Sequence, residues 1–199
     1  IDDYGTITKS ITEGFSGKGY DKAIGATDKK VELNGTFATA YTGYYKTTSL
    51  NNAFGTLTSQ VTNGASYNSI ATVLKVVGTY TTTATKASSD IDDYGTITKS
   101  ITEGFSGKNY TETIVANKIA FTGAFGTLGA QTTGYYKTIS LNNTFGTLTS
   151  QVTDGASYNS VAGTYVVVGK YTTTSLKSLT DIDDYGTITK SITEGFSGK

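Results

Sequence analysis

The chain contains no histidine, cysteine, methionine, tryptophan, proline or arginine, so lysine carries all the positive side-chain charge. Each absence removes chemistry. Without His or Cys there is no soft-ligand site for zinc or copper, no cysteine nucleophile and no imidazole acid or base near neutral pH. Without Arg there is no bidentate fork for phosphate or guanine. Sixteen lysines against 16 acidic residues leave a net charge of zero, which supplies no electrostatic footprint for nucleic acid. No apolar run approaches the roughly 18 residues that cross a bilayer as a helix, and the first residues lack the basic and apolar regions of a secretory signal. The lack of cysteine also excludes the disulfide-stapled class of secreted domain.

What is present is repetition. The segment IDDYGTITKSITEGFSGK occurs letter for letter at residues 1–18, 91–108 and 182–199. Its starts lie 90 and 91 residues apart (91 − 1 and 182 − 91), so the chain reads as one repeat unit over 1–90, a second over 91–181 and the first strand segment of a third over 182–199. Each unit is about the size at which one hydrophobic core becomes self-sufficient. Thr makes up about one residue in five, alongside 24 Gly and 15 Tyr. That composition suits β-structure with polar, water-facing surfaces.

β-Branched residues dominate the repeated segment, with Ile7 and Ile11 among threonines, and predict a strand bent near Lys9-Ser10. Residues 19–30 read as a surface loop or edge strand, and here the copies differ most. Val31, Leu33, Phe37 and Tyr41 share one parity around Asn34-Gly35, a hairpin signal, matched by Ile119, Phe121 and Phe125. Asn63-Gly64 and Asp154-Gly155 also read as tight turns closing a strand. Leu74, Val76, Gly78 and Tyr80, with their counterparts Tyr165, Val167, Gly169 and Tyr171, define a last strand per copy.

Six or seven short strands per 90 residues, with turns at intervals of about 8–15, predict an all-β fold of tandem Ig-like β-sandwich repeats. A β-solenoid is the alternative. Gly-Thr pairs at 5, 35, 55, 78, 95, 126, 146, 163 and 186 average about one solenoid coil apart, but their uneven spacing favours the sandwich.

The run from Phe125-Gly126-Thr127-Leu128 through Gly134-Tyr135-Tyr136-Lys137 to Leu141-Asn142-Asn143 resembles the strand-turn-strand phrase of the VCBS-type repeats of giant bacterial adhesins. Val77-Gly78-Thr79-Tyr80-Thr81-Thr82-Thr83 resembles the closing strand of bacterial Ig-like extender domains. Repetitive phage fibre proteins share such aspartate-tyrosine-glycine phrases. The resemblance implies an extracellular, non-catalytic spacer or fibre.

Asp90, Asp92 and Asp93, and likewise Asp181, Asp183 and Asp184, put three carboxylates within four residues where one copy meets the next. Hard cations such as Ca²⁺ take several oxygen ligands, and an ion there would stiffen the array. Glu103 or Glu194 would join the cluster only if the fold brought it near. The plainer reading is a solvated linker, since Asp favours turns. A glycosidase pair of carboxylates fits poorly with identical placement in every copy, because an enzyme needs one tuned cleft. Tyr44-Tyr45 and Tyr135-Tyr136 offer faces for stacking on a sugar, or one ring inside and one outside.

The expectation is therefore a structural, non-enzymatic building block of an extracellular filament or cell-surface fibre. Its partners are copies of itself, joined by β-strand pairing, with Ile182, Tyr185, Ile188, Ile192 and Phe196 as the assembly strand. The alternatives are an adhesin stalk or binding module that recognises a cell-surface or carbohydrate ligand or is stiffened by calcium, and a viral or phage fibre protein.

Overall fold

In a computed structural model, the described residues are 1–17, 21–24, 31–34, 41–70, 73–115, 118–122, 132–161 and 164–198. Asn34-Gly35 and Phe125 to Asn143 each run partly outside this set, and Phe37 lies wholly outside it.

The strands follow from the β-branched and aromatic content. Copy one supplies β1 (Lys9–Gly17), β2 (Asp21–Ile24), β3 (Val31–Asn34), β4 (Tyr41–Asn51), β5 (Leu57–Ile70) and β6 (Val73–Thr85). Copy two supplies β7 (Lys99–Val115), β8 (Lys118–Thr122), β9 (Thr132–Asn142), β10 (Leu148–Val161) and β11 (Thr164–Leu176), and the third segment supplies β12 (Ile192–Ser197). The protein is all-β, and its main element is one open antiparallel sheet of 10 strands in the order β1-β4-β5-β6-β7-β9-β10-β11-β12, with β8 beside β7. β2 and β3 form a separate antiparallel pair. Residues 21–24, expected as loop or edge strand, are thus a strand.

The two copies share this sheet. β7 of copy two pairs with β6 of copy one, and β12 pairs with β11 in the same way. Like residues meet in rows that run across the strands. One row consists of threonine alone: Thr12, Thr47, Thr62, Thr82, Thr102, Thr138, Thr153, Thr173 and Thr193 are successive cross-strand partners. Their hydroxyls hydrogen-bond in twos, Thr47 to Thr62, Thr82 to Thr102 and Thr138 to Thr153 at 2.8 Å and Thr173 to Thr193 at 2.9 Å. Two of these bonds cross from one copy to the next. Such pairs each contribute a few tenths of a kcal/mol up to about 1 kcal/mol.

Two residues along, glycine and tyrosine alternate: Gly14, Tyr45, Gly64, Tyr80, Gly104, Tyr136, Gly155, Tyr171 and Gly195. The rings of Tyr45, Tyr80, Tyr136 and Tyr171 lie over Gly14, Gly64, Gly104 and Gly155, so close that a Cβ on any of these glycines would overlap the ring. This is aromatic cover of strand glycines. Burial pushes the Tyr136 hydroxyl above its ordinary pKa of 10.0. Here the expected Asn63-Gly64 and Asp154-Gly155 turns are corrected. Both pairs lie inside long strands, β5 and β10, because the glycine is the floor for a ring and neither has positive φ.

The opposite face carries a polar row. Glu13 pairs with Lys46 at 2.7 Å and Glu103 with Lys137 at 3.0 Å, and the hydrogen bonds to these carboxylates raise both lysine pKa values. Thr81 donates to Asn63 at 2.8 Å and Thr172 to Asp154 at 2.7 Å. One step further along that face, Tyr44, Ala65, Thr79 and Phe105 are buried in a continuous row. Beyond it the register shifts at Ser16/Gly17, Ser66/Tyr67, Val76/Gly78, Ser106/Gly107 and Ser157/Tyr158, bulge-type irregularities that fall at one level in five of the strand pairs.

Gly104→Val should destabilise the chain by about 1–3 kcal/mol through overpacking against Tyr136. Combined with Tyr136→Ala its cost should shrink, and a double-mutant cycle of denaturant unfolding measures that coupling; additive costs would show that the ring does not rest on Gly104.

Candidate functional site

The aspartates singled out by the sequence cluster at one end of the sheet, in the loops that join copy to copy. After β6 the chain makes a short 3₁₀ turn, Lys86–Ser88, ended by Ser89 at φ 59°. Asp90 follows and is 3% exposed. Its amide donates to the Thr85 carbonyl at 3.0 Å, its Oδ2 accepts from the Thr85 amide at 3.2 Å, and its carbonyl accepts from the amides of Thr98 at 2.9 Å and Lys99 at 3.1 Å. One residue thereby fastens the end of β6 to the start of β7. The Lys99 ammonium sits 3.3 Å from Oδ1 and balances the charge.

The second joint repeats the first. Asp181 is fully buried, bonds both backbone groups of Leu176, accepts from Thr189 and Lys190, and has the Lys190 ammonium 3.6 Å from Oδ1. Ile91 and Ile182, each 3% exposed, are bridged to Ile97 and Ile188 and tuck under the loops.

Asp92 and Asp183 have a different task. The Oδ1 of Asp92 accepts from the amides of Tyr94 at 2.9 Å and Thr96 at 2.8 Å, the Asp92 amide donates to the Thr96 carbonyl, and Gly95 turns with φ 86°. Asp183, Asp2, Asn52 and Asn143 build the same five-residue turn. The motif is Asx-x-aromatic-Gly-Thr, an Asx turn closed by a glycine that takes positive φ without strain. In the sequence all the Gly-Thr pairs look like one kind of mark. Those at 5, 55, 95, 146 and 186 are these turns, Gly78-Thr79 lies inside β6, and the pairs at 35, 126 and 163 include residues outside the described set. An Asx three residues before the glycine is the signal that separates them.

Asp93 and Asp184 are exposed and pair with Lys86 at 3.0 Å and Lys177 at 3.1 Å. The three carboxylates of each joint are therefore engaged separately, one buried in the joint, one in the turn and one at the surface. Among the described residues no group of three acidic side chains is placed to hold a metal ion. Glu103 and Glu194 lie on strands, Glu103 paired with Lys137.

The expected assembly strand divides likewise. Ile182 belongs to the inside of the joint, Tyr185 is 91% exposed at the tip of its turn, and Ile188 is half-exposed. Ile192 and Phe196 lie on β12 opposite Thr174 and Lys170, and the whole of β12 is exposed. Of the tyrosine pairs, Tyr44 is buried and Tyr45 stands on the other face over Gly14, while Tyr135 meets Phe105 with ring centroids 5.0 Å apart. Comparison with protein-family models, characterised proteins and solved structures finds no match to this chain.

Asp90→Ala should lower stability by about 1–3 kcal/mol, since it leaves the part-buried Thr85 amide without its acceptor and takes the carboxylate away from Lys99, which is itself partly exposed. Asp93→Ala should change it by less than about 0.5 kcal/mol. Thermal unfolding of the two variants distinguishes them, and equal effects would refute the division of labour. The Oδ1 atoms of Asp90 and Asp181 are buried without a hydrogen-bond donor and have only the Lys99 and Lys190 ammonium groups at 3.3 and 3.6 Å; with those cations balancing the charge, excess chelator is expected to leave Tm unchanged. A Tm lowered by chelation and restored by Ca²⁺ would put the ion back at the joint.

Proposed function

We infer that this chain is a non-catalytic structural unit of an extracellular filament or repetitive surface fibre that lengthens by adding strands to one sheet, with copies of itself as partners. The observation that carries this reading is the ladder across the copy boundaries. The threonine row and the glycine-tyrosine row pass through the β6–β7 and β11–β12 pairs without a change of residue type or register. A chain of independent Ig-like sandwiches would confine its ladders within each unit, and a shared ladder is better support for a continuous sheet.

The β12 edge fits the same reading. Gly195 continues the glycine-tyrosine row, and the three atoms nearest to a Cβ there are the Lys170 carbonyl oxygen and the Cβ and Cα of Tyr171, none of them a ring atom. A β4-type strand of another copy, exchanged from its own β1 onto β12, would set its tyrosine over Gly195 as Tyr136 sits over Gly104. Backbone bonds would supply the affinity and the rows the register. The composition points the same way, since a chain without His, Cys or Arg suits repetition better than a tuned reactive cleft.

Electron microscopy of the purified chain at high concentration should show unbranched filaments, with fibre diffraction giving a spacing of about 4.8 Å between strands. Only separate monomers under those conditions would sink the reading.

A further inference from the structure

The five Asx turns share a feature their folding does not require. At the third position each carries an aromatic ring in full solvent: Tyr4 at 95%, Phe54, Tyr94 and Tyr185 at 91% and Phe145 at 90% exposure. The turn uses only the backbone amide of that residue, which donates to the Asx oxygen, so any residue with an N–H would serve the fold. Large rings left in water at every turn call for a partner outside the chain.

The turns stand in single file. A Cβ at Gly55 would lie 3.5 Å from the Thr6 methyl, at Gly95 3.0 Å from that of Thr56, at Gly146 3.6 Å from that of Thr96, and at Gly186 2.9 Å from that of Thr147. Tyr4, Phe54, Tyr94, Phe145 and Tyr185 therefore follow one another along one end of the sheet. Each turn serves the next pair of strands, so the step between rings is two strand spacings, about 9.6 Å.

The row is one ring wide, and Asp3, Ala53, Asp93, Thr144 and Asp184 stand beside the rings. A folded partner needs a contact of about 1,200–2,000 Å² in a compact patch, which a single file of rings does not offer. A linear polymer with a matching repeat does fit. In a β-1,4-linked glycan each sugar is turned over relative to the last, so every second ring offers the same face, and two sugars span about two strand spacings. Asp93 and Asp184 are neutralised by Lys86 and Lys177, which suits an uncharged glycan, while their carboxylates and the tyrosine hydroxyls accept from sugar hydroxyls.

We propose that Tyr4, Phe54, Tyr94, Phe145 and Tyr185 form a platform for an extended, uncharged β-1,4-linked polysaccharide, one aromatic ring to every two sugars. Each ring binds weakly, and the row gains affinity by engaging several at once. The platform lies on a single chain and does not depend on filament formation.

The test is affinity electrophoresis of the 199-residue chain in hydroxyethyl cellulose, with calorimetric titration of cellohexaose and cellobiose. Hydroxyethyl cellulose should retard the chain, and cellohexaose should bind at least tenfold more tightly than cellobiose. The double variant Tyr94→Ala, Phe145→Ala should bind at least tenfold more weakly with an unchanged Tm, because both rings stand in solvent. No retardation, equal retardation by soluble amylose, or undiminished binding by the double variant would overturn the proposal. If the double variant instead loses self-association and the parent holds no glycan, the rings contact a second copy, and the proposal falls while the filament reading stands. Glycan binding by a chain that never forms filaments upholds the platform and removes the filament reading.

Discussion

The structure depends on a register that places like residues in rows, and the tyrosine ring resting on a glycine of the neighbouring strand sets that register most firmly. A slip of one residue in any pair would drive a side chain into a ring and send every residue to the wrong face. The threonine row, the polar row and the bulge line are all tied to this alignment, since each lies a fixed number of residues from the tyrosines. The described residues have few large buried side chains, and fully buried ones are limited to Val76 and Asp181. Specificity therefore resides in cross-strand pairs rather than in a thick core.

Much of this is legible in the sequence, at the level of class and period. The three copies of the 18-residue segment, the β-branched runs and the parity of Val76, Gly78 and Tyr80 lead to strands where strands are found. The acidic residues read as junctional, and they are. Strand length and layer arrangement are harder to read. Asn63-Gly64 and Asp154-Gly155 have the composition of a primed turn, and only the Tyr80 and Tyr171 rings, residues away in sequence, explain glycine in mid-strand. A local pattern cannot reveal a partner that register brings from another strand.

The joints illustrate a second limit. Asp90, Asp92 and Asp93 look alike in a sequence and read naturally as one ligand set, yet each meets different partners: the ends of two strands, its own turn, and a surface lysine. Neighbours along an extended chain point to different sides, so closeness in sequence is a poor guide to shared chemistry here. The aromatic before each turn glycine is hard to see for the opposite reason, since five scattered positions become a row only when the turns are brought side by side.

The two copies differ in length by one residue, yet their ladders agree. The extra residue falls between Gly107 and Thr132, in the excursion that includes β8, away from the shared rows. Each copy places four strands in the continuous ladder: β1, β4, β5 and β6, then β7, β9, β10 and β11. Four is even, so a copy that enters the sheet at one end leaves it at that end, and the following copy starts on the same side with the same faces out. An odd number would alternate the joints between ends and reverse every other copy. Successive copies are thus related by advance along the sheet without reversal, and however many follow, the array has one direction, one edge of joints and two chemically distinct faces.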